Sequence, residues 1–443
     1  CALNAHELST SLMGVKLMSL LGLAIFITLA WAISLKRDKF PWRTVLAGLG
    51  LQLALAVFML QTTLGKSVFN FARTAVQKLL ESAQAGTSLV FGPLADNKEM
   101  TESFGKVGES QSDTYALVAV VICGTIILVA TVSSLLYHLG ILQRIVRTMA
   151  WVMQRILGAS GSESLCSAAN VFMGQTEAPL VIKPYLNGMT RSEIMTMMVA
   201  GMSTIAGGVF AVYAAFGQQA GFADIAGHLL TASVMAAPAA LFMGKILLPE
   251  TEPSPTAGEA SAEVKPETSN ALDALCQGAS DGMKLTINVL AMLIAFTALV
   301  ALLNFLIGLP QQWAGTESAK AITFQNLLGW LNAPFAFLMG IPWEDCTAVG
   351  QVLGERIVLN EFMGFKALTD TSVTTLANKR SFYITTYAIC GFANFASIAI
   401  QIGGISALAP ERRKDLASFG LRAMAGGILV SYINACIAGL FIA

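Results

Sequence analysis

Asn170, Gln175, Thr176 and Glu177 fall within one stretch, residues 162–186, SESLCSAANVFMGQTEAPLVIKPYL, flanked on both sides by apolar runs. A carboxylate and carboxamides at membrane depth are tolerated only where they line a cavity or pack against protein. The same stretch holds two helix breakers, Gly174 and Pro179, which bend the chain back between two half-helices. It therefore reads as a re-entrant hairpin whose tip offers polar groups to a solute. Residues 346–368, CTAVGQVLGERIVLNEFMGFKAL, form a second such candidate, with Glu361 as its carboxylate.

The two hairpins stand in register. Asn170-Val-Phe-Met-Gly174 corresponds to Asn360-Glu-Phe-Met-Gly364, and thirty-one residues after each asparagine stands a glycine, Gly201 or Gly391. Three residues further on come Thr204 and Asn394, polar residues inside two otherwise apolar spans. Equal spacing to equivalent interruptions marks a repeat of hairpin, broken helix and helix. One copy enters from inside and the other from outside, the inverted architecture of secondary transporters. The gathered groups are amides, hydroxyls and two carboxylates, with no guanidinium or lysine clearly aimed at an anion, so a neutral, hydroxyl-rich solute fits better than a dicarboxylate. Plainer readings stand beside this one. Glu177 and Glu361 could form structural ion pairs with Lys183 or Arg356, Asn170, Thr204 and Ser397 could bond neighbouring helices, and the glycines could serve close packing alone.

The remaining sequence must position these groups. Hydrophobic residues make up 55% of the 443 and charged residues 12%, against about 25% charged in ordinary soluble domains, and mean hydropathy is +0.66. This is the composition of an all-α polytopic membrane protein. Zero formal net charge leaves no basic stripe for phosphates and argues against a nucleic-acid binder. The seven cysteines are scattered without a CxxC pair, and the three histidines form no HExxH or clustered set, which argues against a disulfide framework or a zinc enzyme.

Eight spans are expected, at 15–35, 45–61, 115–137, 194–216, 222–248, 285–307, 382–402 and 416–441, each near the ~20 residues a bilayer requires. Residues 66–88 alternate at helical spacing, as an interfacial amphipathic helix or an ordinary packing helix would. Arg144, Arg147 and Arg155 lie on a further interfacial helix. Residues 1–14 lack the features of a signal peptide, and 92–113 form an acidic external loop. Lys36, Arg37, Lys39 and Arg43 form the densest short basic loop, which the positive-inside rule places in the cytoplasm, leaving both termini outside. The expected division is 1–114 (N-terminal spans and interfacial helix), 115–160 (third span and interfacial helix), 161–248 (first repeat), 249–270 (a cytoplasmic, low-complexity linker without assigned role), 271–345 (scaffold span and external amphipathic segment) and 346–443 (second repeat).

The segments GQTEAPLVIKPYL, GMSTIAGGV, NEFMGF and ICGFANFASIAIQIGG, in that order, resemble the signature segments of the concentrative nucleoside transporter family. The likeness runs from about residue 115 to the C-terminal end, and the shorter N-terminal part is similar to the bacterial eight-span form. The resemblance implies a homotrimer in the plasma (inner) membrane, each protomer having a scaffold and a moving transport domain. It implies sodium-coupled symport of nucleosides such as uridine and adenosine. Carried over by matched motif, Gln175, Thr176 and Glu177 would recognise the nucleobase, with Val209 packing against it. Glu361, Asn394 and Ser397 would bond the ribose hydroxyls, with Phe392 lining the pocket. Asn170 and Thr204, with carbonyls exposed by the broken helix, would hold Na+, and hard oxygen ligands suit such a cation. NEFMGF departs from the family by carrying Met-Gly where many relatives have Val-Ala, with no change in chemistry expected. Gly174-Gln175 resembles the broader-specificity members and leaves purine against pyrimidine open.

Three rivals remain at this point. Proton coupling is the closest, because Glu177 or Glu361 could titrate if desolvated. A sodium-coupled carboxylate carrier would want an arginine facing its substrate. An intramembrane enzyme would want a metal constellation or a Ser/His arrangement, and none is seen.

Overall fold

The computed structural model describes residues 5–95, 118–256, 268–313, 315, 321–370 and 375–442. Most of the expected acidic loop, the start of the third expected span and half of the linker lie outside the described residues. Among those described, all regular structure is helical. The chain opens with α1 (Ala5–Ala32), α2 (Trp42–Gln61), α3 (Thr63–Phe91), α4 (Val118–His138) and α5 (Ile141–Leu157). The first repeat comprises α6 (Gly161–Ala169), α7 (Ala178–Val181), α8 (Arg191–Ser203), α9 (Gly207–Gln219) and α10 (Ile225–Leu247). Between the repeats come α11 (Ala271–Trp313) and α12 (Phe324–Leu338). The second repeat comprises α13 (Trp343–Val358), α14 (Glu361–Thr369), α15 (Lys379–Ile389), α16 (Phe395–Leu408) and α17 (Arg413–Phe441).

Six helical stretches among the described residues are long and apolar enough to cross a membrane, and α4 with α5, bent by 75°, passes as a seventh. That bend falls at Gly140, whose φ of +73° favours glycine. Beyond it, α5 buries Leu142, Val146, Ala150, Met153 and Leu157 while Arg144, Arg147, Arg155 and Trp151 stay exposed, the amphipathic pattern expected there. The remaining expected span, 382–402, exists as α15 and α16. Its break leaves halves of 11 and 14 residues, each too short to span alone.

α11 departs from expectation by its length. Its 43 residues would extend roughly 64 Å at the rise of an α-helix, against a hydrocarbon core of about 30 Å. Asn270 Oδ1 caps its start by accepting the Asp273 amide at 2.9 Å, and the Asp281–Lys284 pair supports the next turns. The polar turns thus continue the helix well beyond the hydropathy edge. Its buried positions include Ala274, Gly278, Gly282 and Thr286, a four-residue rhythm of small side chains. A Cβ on Gly278 or Gly282 would stand 2.7 Å from the Thr131 or Ile127 Cα. That is the close backbone approach by which small residues dock helices in membranes, here α11 onto α4.

The two helices that lead into the hairpin turn and the helix break of the first repeat are capped alike. Ser160 with Glu163 forms a capping box for α6, and Thr190 with Glu193 forms one for α8. Both boxes are tied to the segment that follows α10. Thr256 O accepts the Gly161 amide at 3.0 Å, Ser254 Oγ donates to Glu193 at 2.5 Å and Thr190 Oγ1 donates to Glu250 at 2.8 Å. Lys245 Nζ lies 2.9 Å from Glu163 and 3.1 Å from Glu250. Burial alone would raise the Glu250 carboxyl, but the Lys245 ammonium and hydrogen bonds from Thr190 and the Glu252 amide outweigh it and hold it below the usual glutamate range. The first residues of the expected linker are therefore a built part of the fold.

Removing one partner of a buried pair leaves the other charge uncompensated, at a cost of about 3–5 kcal/mol. Lys245→Met is therefore expected to lower the apparent melting temperature of the solubilised protein by several degrees, and Lys245→Met with Glu163→Gln should recover most of the loss. A single variant that melts with the wild type would show the cluster to be dispensable.

Candidate functional site

Four interruptions converge at the centre of the molecule. α6 ends at Asn170 and the chain resumes as α7 after Glu177. α8 ends at Ser203, and Thr204–Ala206 run extended before α9. α13 stops at Leu359, with Asn360 capping α14 through its Oδ1 and the Met363 amide at 2.9 Å. α15 ends at Ile389, and Asn394 caps α16 by accepting the Ser397 amide at 2.9 Å. Each break leaves terminal amides and carbonyls without helical partners, so polar backbone is available in an apolar core.

The two broken helices cross at their breaks. The Phe392 amide donates to Thr204 O at 3.2 Å. Gly391 lies so close to α8 that a Cβ there would stand 2.9 Å from Met202 O. The hairpin of the first repeat closes over the same point, where the Gly207 amide donates to Phe172 O at 3.1 Å. Gln175 Nε2 donates to Ser397 Oγ at 3.1 Å, joining the first hairpin to the second broken helix. Glu361 accepts from Asn394 Nδ2 at 2.9 Å and from Tyr213 OH at 3.1 Å. Thr176 reaches α16 as well, its Cγ2 standing 2.6 Å from the Cβ that Gly404 lacks.

Most of the sequence-derived residues thus meet. Gln175, Val209, Glu361, Asn394 and Ser397 are buried, Thr176 and Phe392 half-buried. Glu177 is exposed, and its carboxylate accepts the Gly174 amide at 3.1 Å across the hairpin turn. Among the described residues no direct salt bridge joins Glu177 or Glu361 to Lys183 or Arg356, although Arg356 lies near enough to Glu361 for their charges to interact. Val209 lies buried on α9 next to the break, where its aliphatic side chain offers packing alone.

Asn170 is fully buried. Its Nδ2 donates to Cys166 O at 3.1 Å, while its Oδ1 has no hydrogen-bond partner among the described residues. Thr204 is also buried, and its hydroxyl donates to Ala200 O at 3.2 Å, keeping its lone pairs free to accept. An orphaned carboxamide oxygen, a hydroxyl oxygen and carbonyls at a helix end make an all-oxygen, neutral donor set. Such a set fits a weakly polarising alkali cation better than a transition metal. No group of three or more His, Cys, Asp or Glu suited to a metal occurs among the described residues.

Sequence reasoning missed three residues. Tyr213 holds Glu361, and its only signal was a place one helical turn beyond Val209. Gln401 donates to Met198 O at 3.1 Å and lies against Gly201, 2.6 Å from where a Cβ would be. With Asn394 and Ser397 it continues one face of α16, a spacing that would have found it. Arg356 grips the Gly391 carbonyl, although from the sequence it read as a counter-ion.

Comparison with known proteins yields consistent likenesses. Residues 228–439 match the sequence model of the Na+ dependent nucleoside transporter C-terminus, residues 21–94 that of its N-terminus, and residues 119–220 the nucleoside-recognition gate. The chain is 38% identical over 427 residues to the uncharacterized transporter YutK of Bacillus subtilis, covering 96% of this chain and 99% of that one. It is 37% identical over 449 residues to sodium/nucleoside cotransporter 1 of Rattus norvegicus, covering 98% of this chain but 65% of the rat protein. Among solved structures, CNTnw in an inward-facing substrate-bound state superposes with a TM-score of 0.86 at 35% identity, covering 96% of this chain and 98% of that one. A double variant of CNTnw in an outward-facing state gives the same TM-score at 34% identity and equal coverage.

Proposed function

The chain belongs to the concentrative, Na+ dependent nucleoside transporter family, and from that premise we propose that it imports nucleosides by alternating access with sodium as the coupling ion. The observation that carries this reading is the pairing of Glu361 with Asn394 and of Gln175 with Ser397, at the crossing of two broken helices. Glu361, Asn394 and Ser397 bond the ribose hydroxyls, beside Phe392. Gln175, Thr176 and Glu177 read the nucleobase, with Val209 against its face. Uridine and adenosine are the expected substrates.

Sodium sits between Asn170 Oδ1, Thr204 and the carbonyls at the first break. Binding there ties the first hairpin to α8 and α9, which orders Gln175 and raises nucleoside affinity by reciprocal coupling. One sodium entering down a 100 mV potential supplies roughly 2.3 kcal/mol, about fifty-fold in accumulation. Both partners of Glu361 donate to it, so it serves as an acceptor, with capacity left for a ribose hydroxyl. We place the protein in the inner membrane as a homotrimer, with the loop around Arg37 cytoplasmic and both termini outside. The exposed apolar side of α11, including Ile287, Ile294 and Phe305, supports contact with lipid or sister copies.

Radiolabelled uridine uptake into proteoliposomes, with and without an inward sodium gradient, tests this. Sodium-driven accumulation is expected. Uptake that persists without sodium and collapses with a proton ionophore would transfer the coupling to protons, and folded protein that moves neither uridine nor adenosine would remove the substrate assignment.

A further inference from the structure

Arg356 is fully buried. Its Nε and Nη2 both donate to the Gly391 carbonyl at 3.2 Å, and Nη2 also donates to Ser431 Oγ of α17 at 3.1 Å. Nη1 has no hydrogen-bond partner among the described residues. A guanidinium kept in an apolar core without an ion pair costs several kcal/mol, where an aliphatic side chain would pack at no such cost. What it holds accounts for its presence. Gly391 is the residue pressed against the α8 backbone, and the next amide, Phe392 N, donates to Thr204 O. A continuous line therefore runs from α13 through the guanidinium, the Gly391 carbonyl and the Phe392 amide to the first helix break. Two residues beyond Phe392, Asn394 meets Glu361.

We propose that Arg356 is the positioning residue of the ribose side of the site: by holding the Gly391 carbonyl with two donors, it fixes where the second break places Phe392 and Asn394. The proposal rests on the nucleoside reading for its solute, but its grip on the break does not. The planar fork matters, because a lysine brings a single point of donation on a stem of different shape. Arg356→Lys keeps the charge and loses the fork, and Arg356→Gln keeps a planar donor and loses the charge.

The experiment measures uridine and 3′-deoxyuridine transport by both variants in proteoliposomes. For Arg356→Lys, KM for uridine should rise about tenfold and the preference for uridine over its 3′-deoxy analogue should fall about fivefold, the scale of one charge-assisted hydrogen bond. Half-saturating sodium should shift less than KM does, because the guanidinium reaches Thr204 only through the Gly391–Phe392 backbone. Hydrogen exchange of the purified protein is read in parallel, where residues 389–395 should lose protection in both variants while 161–177 keep it. A lowered maximal rate with unchanged KM, unchanged preference and unchanged exchange would overturn the proposal and leave Arg356 a packing residue. If the wild type carries no nucleoside, the nucleoside reading fails by itself. Exchange at 389–395 then decides the grip without any solute: faster exchange sustains it and unchanged exchange overturns it.

Discussion

Glu361→Gln is expected to reduce uridine uptake at sub-saturating concentration by roughly ten- to a hundredfold, the equivalent of one charge-assisted hydrogen bond. The substitution preserves size and shape, so packing around α14 is not the issue. As a carboxylate, Glu361 receives two donors, Asn394 Nδ2 and Tyr213 OH. A glutamine offers one oxygen and one amide donor in their place. Its amide then confronts either the Asn394 amide or the tyrosine hydroxyl, and the group meeting the ribose hydroxyl is a weaker acceptor or no acceptor at all. Asn394 also caps α16 through its Oδ1 and the Ser397 amide, so a turned Asn394 would disturb Ser397 as well. The measurement is initial-rate uptake of labelled uridine with protein amount normalised by immunoblot. Uptake within about twofold of the wild type would remove Glu361 from the ribose contact, since losing a charged acceptor carries at least a tenfold effect.

Asn170→Ala is expected to act on the ion instead. The Asn170 Oδ1 is a buried acceptor with no partner among the described residues, and an unsatisfied buried polar atom costs about 1–3 kcal/mol unless something binds it. Removing it should raise half-saturating sodium by about tenfold or more, while uptake at saturating sodium stays much closer to that of the wild type. A second readout avoids transport altogether. A ligand that binds only the folded protein stabilises it by mass action, so sodium should raise the melting temperature of the wild type and have much less effect on the variant. An equal sodium-induced rise in both proteins would place the ion elsewhere. The two substitutions thus separate solute from ion within one crossing, because Asn170 and Glu361 sit in different repeats.

The parts of this site that are legible in the sequence are those that break a pattern. Asn170, Gln175 and Glu177 stand out because polar groups interrupt an apolar run, and Gly201 and Gly391 stand out because the same interval separates each from its asparagine. Tyr213 and Gln401 do not stand out. An aromatic or an amide inside an apolar helix is indistinguishable from ordinary packing until the neighbouring helix is seen. Arg356 was visible as a charge, but its partner is a backbone carbonyl thirty-five residues away, and sequence carries no mark for an acceptor made by a helix break. The length of α11 was hidden for another reason. Hydropathy marks where a helix enters lipid, not where it stops being a helix, and Ala271–Lys284 is polar and helical at once. Residues 249–256 read as low-complexity chain because the hydrogen bonds that order Ser254 and Thr256 come from Glu193 and Ser162, which no local composition reveals.

The bonds that cross between the repeats, from Gln175 to Ser397, from Phe392 to Thr204 and from Gln401 to Met198, bear on how turnover and affinity relate. Parting the repeats to release a solute would expose each of these groups where little water can replace its partner, at several kcal/mol apiece. Leaving them closed and sliding the pair as one block past its surroundings breaks none of them. Affinity is then written in the crossing and speed in the block's outer faces. Substitutions in these two places should be separable, so that a slower carrier of unchanged taste, or a fussier one of unchanged pace, is reachable by single changes.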